Sequence, residues 1–175
     1  MTKDKRYTKR PEDCDCYVAG VTTCRCCGAS LIMPVHALTR GLVEVLVILA
    51  YHAKKQGGYA VDISDIDLNY TQRSTLQKLR YFGLLVKNLD KDGKHKLKSW
   101  IITTRGWEFL SRETLVVKHS RTFHNRIVHW TEEEAREIDM VSIDDILGDK
   151  DAPYWQNAAD FKNWREFASP QLGLL

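Results

Sequence analysis

The 175-residue chain has no apolar run long enough to cross a bilayer. Its greasiest stretch, Leu42 to Ala53, is interrupted by Glu44, whereas a spanning helix needs about 20 apolar residues. The start, Met1-Thr2-Lys3-Asp4-Lys5-Arg6, is charged with no apolar segment behind it, unlike a secretory signal. These absences predict a cytoplasmic, reducing location and no membrane partner. Catalytic signatures are missing too. There is no Gly-rich phosphate loop, no nucleophile elbow and no His-Glu-x-x-His, and Asp144-Asp145 reads as a helix start facing the dipole. An enzyme is not expected. Neither an internal repeat nor a low-complexity tract occurs, and apolar content of 43% with charged content of 28% is that of a globular domain.

Acidic residues are scarce where basic ones concentrate. Residues 70–105 hold nine Lys and Arg against only Asp90 and Asp92, a local balance of +7, while residues 131–175 hold eleven acids and four bases, a balance of −7. The whole chain is only +3. Such asymmetry points to a nucleic-acid-facing middle and a tail employed differently.

The periodicity predicts an α+β fold in four parts: a polar tail over 1–13, a cysteine-rich segment over 14–33, a central domain over 34–112 and a mixed, mostly helical extension over 113–175. Leu42, Val45, Leu46, Ile48, Leu49 and His52 recur at helical spacing between Thr39 or Arg40 and Lys55, with Gly57-Gly58 as the stop. Val43 widens the apolar surface, so this helix is expected at the centre of the domain. Tyr59-Ala60-Val61 reads as a short strand, Ile63–Leu68 as a short helix capped by Asp62, and Thr71–Tyr81 as a third helix closed by Gly83. Leu84–Val86 and Leu97–Ile102 then read as strands joined by a turn over Asp90–Lys96, and a last helix begins at Thr104.

Thr103, Gly106, Phe109 and Leu110 form a Thr-x-x-Gly-x-x-Phe-Leu helix start directly after a basic hairpin. In this order and spacing, residues 38–112 resemble the winged helix-turn-helix of bacterial MarR- and PadR-type regulators. The resemblance implies that the third helix enters the major groove of double-stranded DNA while the hairpin, as a wing, follows the backbone. The residues suit those roles. On the third helix, Thr75, Leu76 and Leu79 form the packing face. Tyr70, Thr71, Arg73, Ser74, Gln77, Lys78, Arg80 and Tyr81 lie on or beside the other. Gln and Arg can read base edges bidentately and Lys suits phosphate. Lys91, Lys94, His95 and Lys96 at the hairpin tip are placed to track phosphates. A transcriptional regulator is the expectation. A winged helix that binds a polymerase or nuclease subunit, and an accessory factor binding DNA of any sequence, are the alternatives.

All five cysteines fall between positions 14 and 27. Cys24 and Cys27 form a Cys-x-x-Cys-Gly knuckle, and Cys14 with Cys16 can complete a tetrahedral four-thiolate zinc site, with His36 as an alternative ligand and Cys26 as the spare. Free thiols, a redox pair and disulfides are the competing readings.

In the extension, Thr114–Lys118 and Phe123–Trp130 are expected as two strands around a turn at His119–Thr122. His119, His124 and His129 share no face, so no metal site is expected there. Thr131-Glu132-Glu133-Glu134 and Ser142-Ile143-Asp144-Asp145 are capping boxes that predict helices, the first running to about Met140. Asp151-Ala152-Pro153 opens a final helix with Tyr154, Trp155, Ala158, Phe161, Trp164 and Phe167, an aromatic stripe for packing on its own domain or for a second copy or protein partner.

Overall fold

The computed structural model describes residues 22–23, 28, 30–57, 60–90, 92–123, 126–128, 136–148 and 161–167. Over these the chain is a mixed α/β structure with small antiparallel sheets, as the α+β expectation requires. Its centre is α1 (Arg40–Lys55). Leu42, Val43, Val45, Leu46, Val47, Leu49, Ala50 and Ala53 are all buried, so nearly every side of this helix packs on other elements.

After α1, β2 (Val61–Asp62) pairs with β4 (His95–Ile102), and β4 pairs in turn with β3 (Leu85–Leu89), giving a sheet of order β2-β4-β3. The β3–β4 hairpin is tied at its tip by Asp90. Its Oδ1 accepts from the amides of Asp92 at 3.0 Å and Lys94 at 2.7 Å, and Gly93 takes the left-handed turn position at φ 74°.

Residues 63–68 depart from expectation. They form turns and coil rather than a helix. Asp62 caps a turn, accepting from the Ser64 amide at 2.8 Å, and the carbonyls of Ile63, Ile66 and Leu68 face the Arg73 guanidinium at 3.2, 2.7 and 2.9 Å. Ile66 and Leu68 are buried in the resulting loop, which the Arg73 guanidinium braces from the following helix.

The next helical segment has two parts, α2 (Tyr70–Thr75) and a 3-10 helix over Leu76–Phe82. Asn69 starts it with a capping box. Its Oδ1 accepts from the Gln72 amide and Gln72 Oε1 accepts from the Asn69 amide, both at 2.9 Å. The change of helix type falls where the hydroxyls of Ser74 and Thr75 both donate to the Thr71 carbonyl, at 2.9 and 2.7 Å, in competition with the backbone. Gly83, at φ 70°, closes the segment as expected.

The Thr-x-x-Gly start of α3 (Thr104–Leu110) has a direct physical basis. Thr103 Oγ1 accepts from the Gly106 amide at 2.9 Å and its hydroxyl donates to the Gly83 carbonyl at 2.6 Å. A Cβ on Gly106 would lie 2.4 Å from the Leu84 carbonyl oxygen and 2.8 Å from Ile102 Cγ2. Only glycine lets α3 lie this close to the start of β3. Trp107, Phe109 and Leu110 are then fully buried.

The region after residue 112 is more strand-rich than expected and shares the same core. β1 (Val35–Ala37) pairs with β6 (His119–Phe123), and β6 with β7 (Arg126–Val128). His119–Thr122 is therefore strand, not turn, and the hairpin reverses between Phe123 and Arg126. Val116 and Val117 of β5 pair with Val141 and Met140 of β8, so the helix expected to reach Met140 ends earlier. α4 (Ile143–Leu147) starts at the Ser142–Asp145 capping box as the sequence predicts. In α5 (Trp164–Phe167) and the turn before it, Phe161, Trp164 and Phe167 surround Trp107 at centroid distances of 5.9, 6.4 and 5.3 Å. The described part of the aromatic stripe thus packs on its own domain, which removes Phe161 and Trp164 from any partner surface. Tyr154, Trp155 and Ala158 lie outside the described residues. Among the described residues no helix is long and apolar enough to cross a membrane.

Candidate nucleic-acid interface

The helical segment 70–82 carries no acidic residue. Its buried side chains, Leu76, Leu79 and Phe82, join the core. That packing turns the opposite side outward. Tyr70 is 87% exposed, the most exposed large apolar side chain among the described residues. Thr71, Ser74, Gln77 and Arg80 are also exposed, and Lys78 is half-buried at the edge of this row. Gln77 Nε2 makes only a long 3.5 Å contact to the Ser74 carbonyl, so its amide can turn toward a partner.

Arg73 does not belong with them. Its Nε, Nη1 and Nη2 each donate to a carbonyl of the 63–68 loop, and a guanidinium engaged in that fork is not free for a guanine edge. Its position on the helix is the one expected, but its donors point to the protein. Tyr81, also expected outward, stacks on His36 with ring centroids 4.7 Å apart, and its carbonyl accepts from the Ser120 hydroxyl at 2.8 Å.

At the hairpin, Lys94 and Lys96 are exposed. Lys91 and the His95 side chain fall outside the described residues, although β4 begins at His95. One basic residue was missed from sequence. Lys87 stands opposite Trp100 in the β3–β4 register and holds its ammonium 3.7 Å from the indole centroid. Burial, then the neighbouring charge of Arg80, lowers the Lys87 pKa. Two cations are thus gathered where the helix meets the hairpin. The strict alternation of a strand, with Lys87 paired to an aromatic residue, was the available signal.

His36, the alternative zinc ligand, meets Thr122 Oγ1 at 2.9 Å across the β1–β6 pair. Burial, then the Lys78 charge, lowers its pKa. Cys14, Cys16, Cys24 and Cys27 lie outside the described residues, and among those described no three His, Cys, Asp or Glu side chains are grouped to hold a metal.

A groove of about 300 Å³ opens between β1, the start of α1 and α2, lined by side chains that include His36, Thr39, Thr71, Gln72, Thr75 and Lys78. It adjoins the exposed helix row through Thr71 and Lys78.

No family model, curated protein or solved structure gives a match to the chain.

Proposed function

We propose that this chain binds double-stranded DNA as a winged helix. The segment 70–82 enters the major groove, and the β3–β4 hairpin lies along the flanking backbone as the wing. One observation carries the reading: an acid-free helix turns an exposed row of Tyr70, Thr71, Ser74 and Gln77 outward, flanked by Lys78 and Arg80. The exposed Lys94 and Lys96 stand on the adjoining hairpin. Gln77 is the long side chain suited to a base edge, Tyr70 and Thr71 offer apolar contact to a thymine methyl, and the lysines neutralise phosphates. Regulation of transcription is the use proposed for such binding, in the cytoplasm and without catalysis. The cysteine cluster enters as a structural zinc site on Cys14, Cys16, Cys24 and Cys27, whose four thiolates suit that ion.

The occupied Arg73 guanidinium favours a second use, an accessory factor that holds duplexes of any sequence, since it removes a bidentate base reader.

Selection from a random duplex pool tests both. An enriched motif whose preference is lost in Gln77→Ala supports the regulator. Even binding across sequences supports the accessory factor. No duplex binding at low salt overturns DNA binding altogether. Lys94→Ala with Lys96→Ala should weaken all duplexes alike and reduce the slope of log affinity against log salt by about 2.

A further inference from the structure

We propose that the groove between β1, the first turn of α1 and α2 is a binding site for a phosphate-class anion. Its volume of about 300 Å³ lies at the lower end of small-ligand pockets, which suits a phosphate with little attached. The lining decides the sign of the ligand. Lys78 contributes an ammonium, and no Asp or Glu lines the groove among the described residues. Val35, Ala37 and Leu42 give it an apolar wall, and neutral donors stand beside Lys78 on the polar side. Thr39 occupies the N-cap position of α1, yet its side chain makes no capping bond, so its hydroxyl is left for the groove. The Gln72 carboxamide uses its oxygen in the α2 capping box, which leaves its NH₂ as a donor.

Gly41 is a separate observation pointing the same way. It lines the groove, sits inside the first turn of α1, and nothing lies within 4 Å of where its Cβ would be. Its φ lies outside the left-handed range, so neither packing nor backbone conformation calls for glycine. Glycine within a helix costs about 1 kcal/mol relative to alanine. Its missing side chain leaves the groove open at this point.

Thr71 and Lys78 border both this groove and the proposed duplex face, but the anion site does not require the DNA reading. The phosphate has two possible sources, a backbone phosphate of a bound duplex or a free phosphorylated small molecule.

The test is a titration of the isotope-labelled full chain with inorganic phosphate, followed through backbone amide resonances, against chloride at matched ionic strength. Saturable shifts are expected at residues 39–42 and 71–78. Lys78→Gln should weaken phosphate about tenfold, the loss of one charge-assisted contact. Gly41→Glu should abolish binding, because it puts a carboxylate in the groove. An acid is favourable in the first turn of a helix, so the fold is retained. Shifts no larger than those from chloride overturn the site, and so does undiminished phosphate binding in a folded Gly41→Glu protein. Should that variant not fold, undiminished binding in Lys78→Gln overturns it equally. Duplex binding of Gly41→Glu then identifies the source: weakened, a backbone phosphate occupies the groove; unchanged, a free phosphorylated ligand does. A wild-type chain that binds phosphate but no duplex refutes the DNA reading alone.

Discussion

Replacing Gly106 by alanine introduces one methyl group at the tightest place in the fold. The new Cβ would stand 2.4 Å from the Leu84 carbonyl oxygen and 2.8 Å from Ile102 Cγ2. The first neighbour is backbone and cannot rotate away. Relief requires α3 to move off the start of β3, and that start is bound into the same knot. Thr103 donates from its amide to Leu84 at 3.2 Å and from its hydroxyl to Gly83 at 2.6 Å. Overpacking of this kind costs about 3 kcal/mol at the upper end of its usual range, and a loosened Thr103–Leu84 bond adds about 1 kcal/mol. Alanine returns about 1 kcal/mol through helix propensity. The net loss is about 3 kcal/mol, which for a chain of this size lowers Tm by about 6–12 °C. Urea and thermal unfolding followed by circular dichroism measure it. Gly41→Ala is the matched control, since nothing lies within 4 Å of its Cβ, and it should gain up to about 1 kcal/mol. A Gly106→Ala protein as stable as the control would refute the close docking of α3 on Leu84.

Arg73→Ala removes three guanidinium bonds to the 63–68 loop and should destabilise by about 2–3 kcal/mol, with duplex discrimination per base unchanged in the folded variant. A relaxed preference at one base pair, with stability intact, would show that Arg73 reads DNA instead. Glu113 is held at about 2, first by hydrogen bonding from Arg165, with further bonds from Ser111 and Trp164. A depressed carboxyl contributes stability above its ordinary value of 4.5 and loses it as pH falls toward 2. Tryptophan fluorescence from the Trp107–Trp164 stack should therefore report release of α5 across that acid window, and Arg165→Gln should move the release to higher pH. An unchanged acid limb in Arg165→Gln would refute the latch. Purified reduced protein should carry about one equivalent of zinc, and metal analysis finding less than about half an equivalent would count against the four-thiolate site.

What was legible from sequence was local. The three- and four-residue spacing of Leu42 to Leu49 specified the buried central helix, Gly83 the left-handed stop, and Ser142 with Asp145 the start of α4. The Thr103–Gly106 spacing was readable as a helix start, but not the reason glycine is needed, which depends on the Leu84 carbonyl. The errors share one cause. Asp62 with an apolar pattern behind it suggested a helix, but Asp62 caps a turn instead, and Arg73, ten residues beyond Ile63, braces the resulting loop through its carbonyls. Strand pairing between 35–37 and 119–121 joins residues such as His36 and Ser120, 84 positions apart, and no local pattern announces it. Arg73 shows the limit for the candidate interface most clearly. Helical geometry places a side chain on a face, but partners from the preceding loop decide where its donors point.

Those distant partners also bear on how the interface is presented. α2 has six residues, continues as a 3-10 helix to Phe82, and is far too short to hold its shape in isolation. Both of its ends are secured from outside. At the start, Arg73 ties α2 to the 63–68 loop and Asn69 caps it. Toward the end, Tyr81 is stacked on His36 from β1 and bonded through its carbonyl to Ser120 of β6. β1, at the start of the central domain, and β6, beyond its end, therefore brace the helix that carries its exposed row. An ordered helix presented this way has already lost its conformational freedom before a partner arrives, so less of the contact energy is consumed in ordering it. In the proposed DNA-binding reading, Arg73 supports the helix that carries the exposed row rather than touching a base. The proposed binding surface and the strands that brace it therefore belong to one structure, with Leu76, Leu79 and Phe82 of the helix in the core shared with Val116, Ile143 and Phe161.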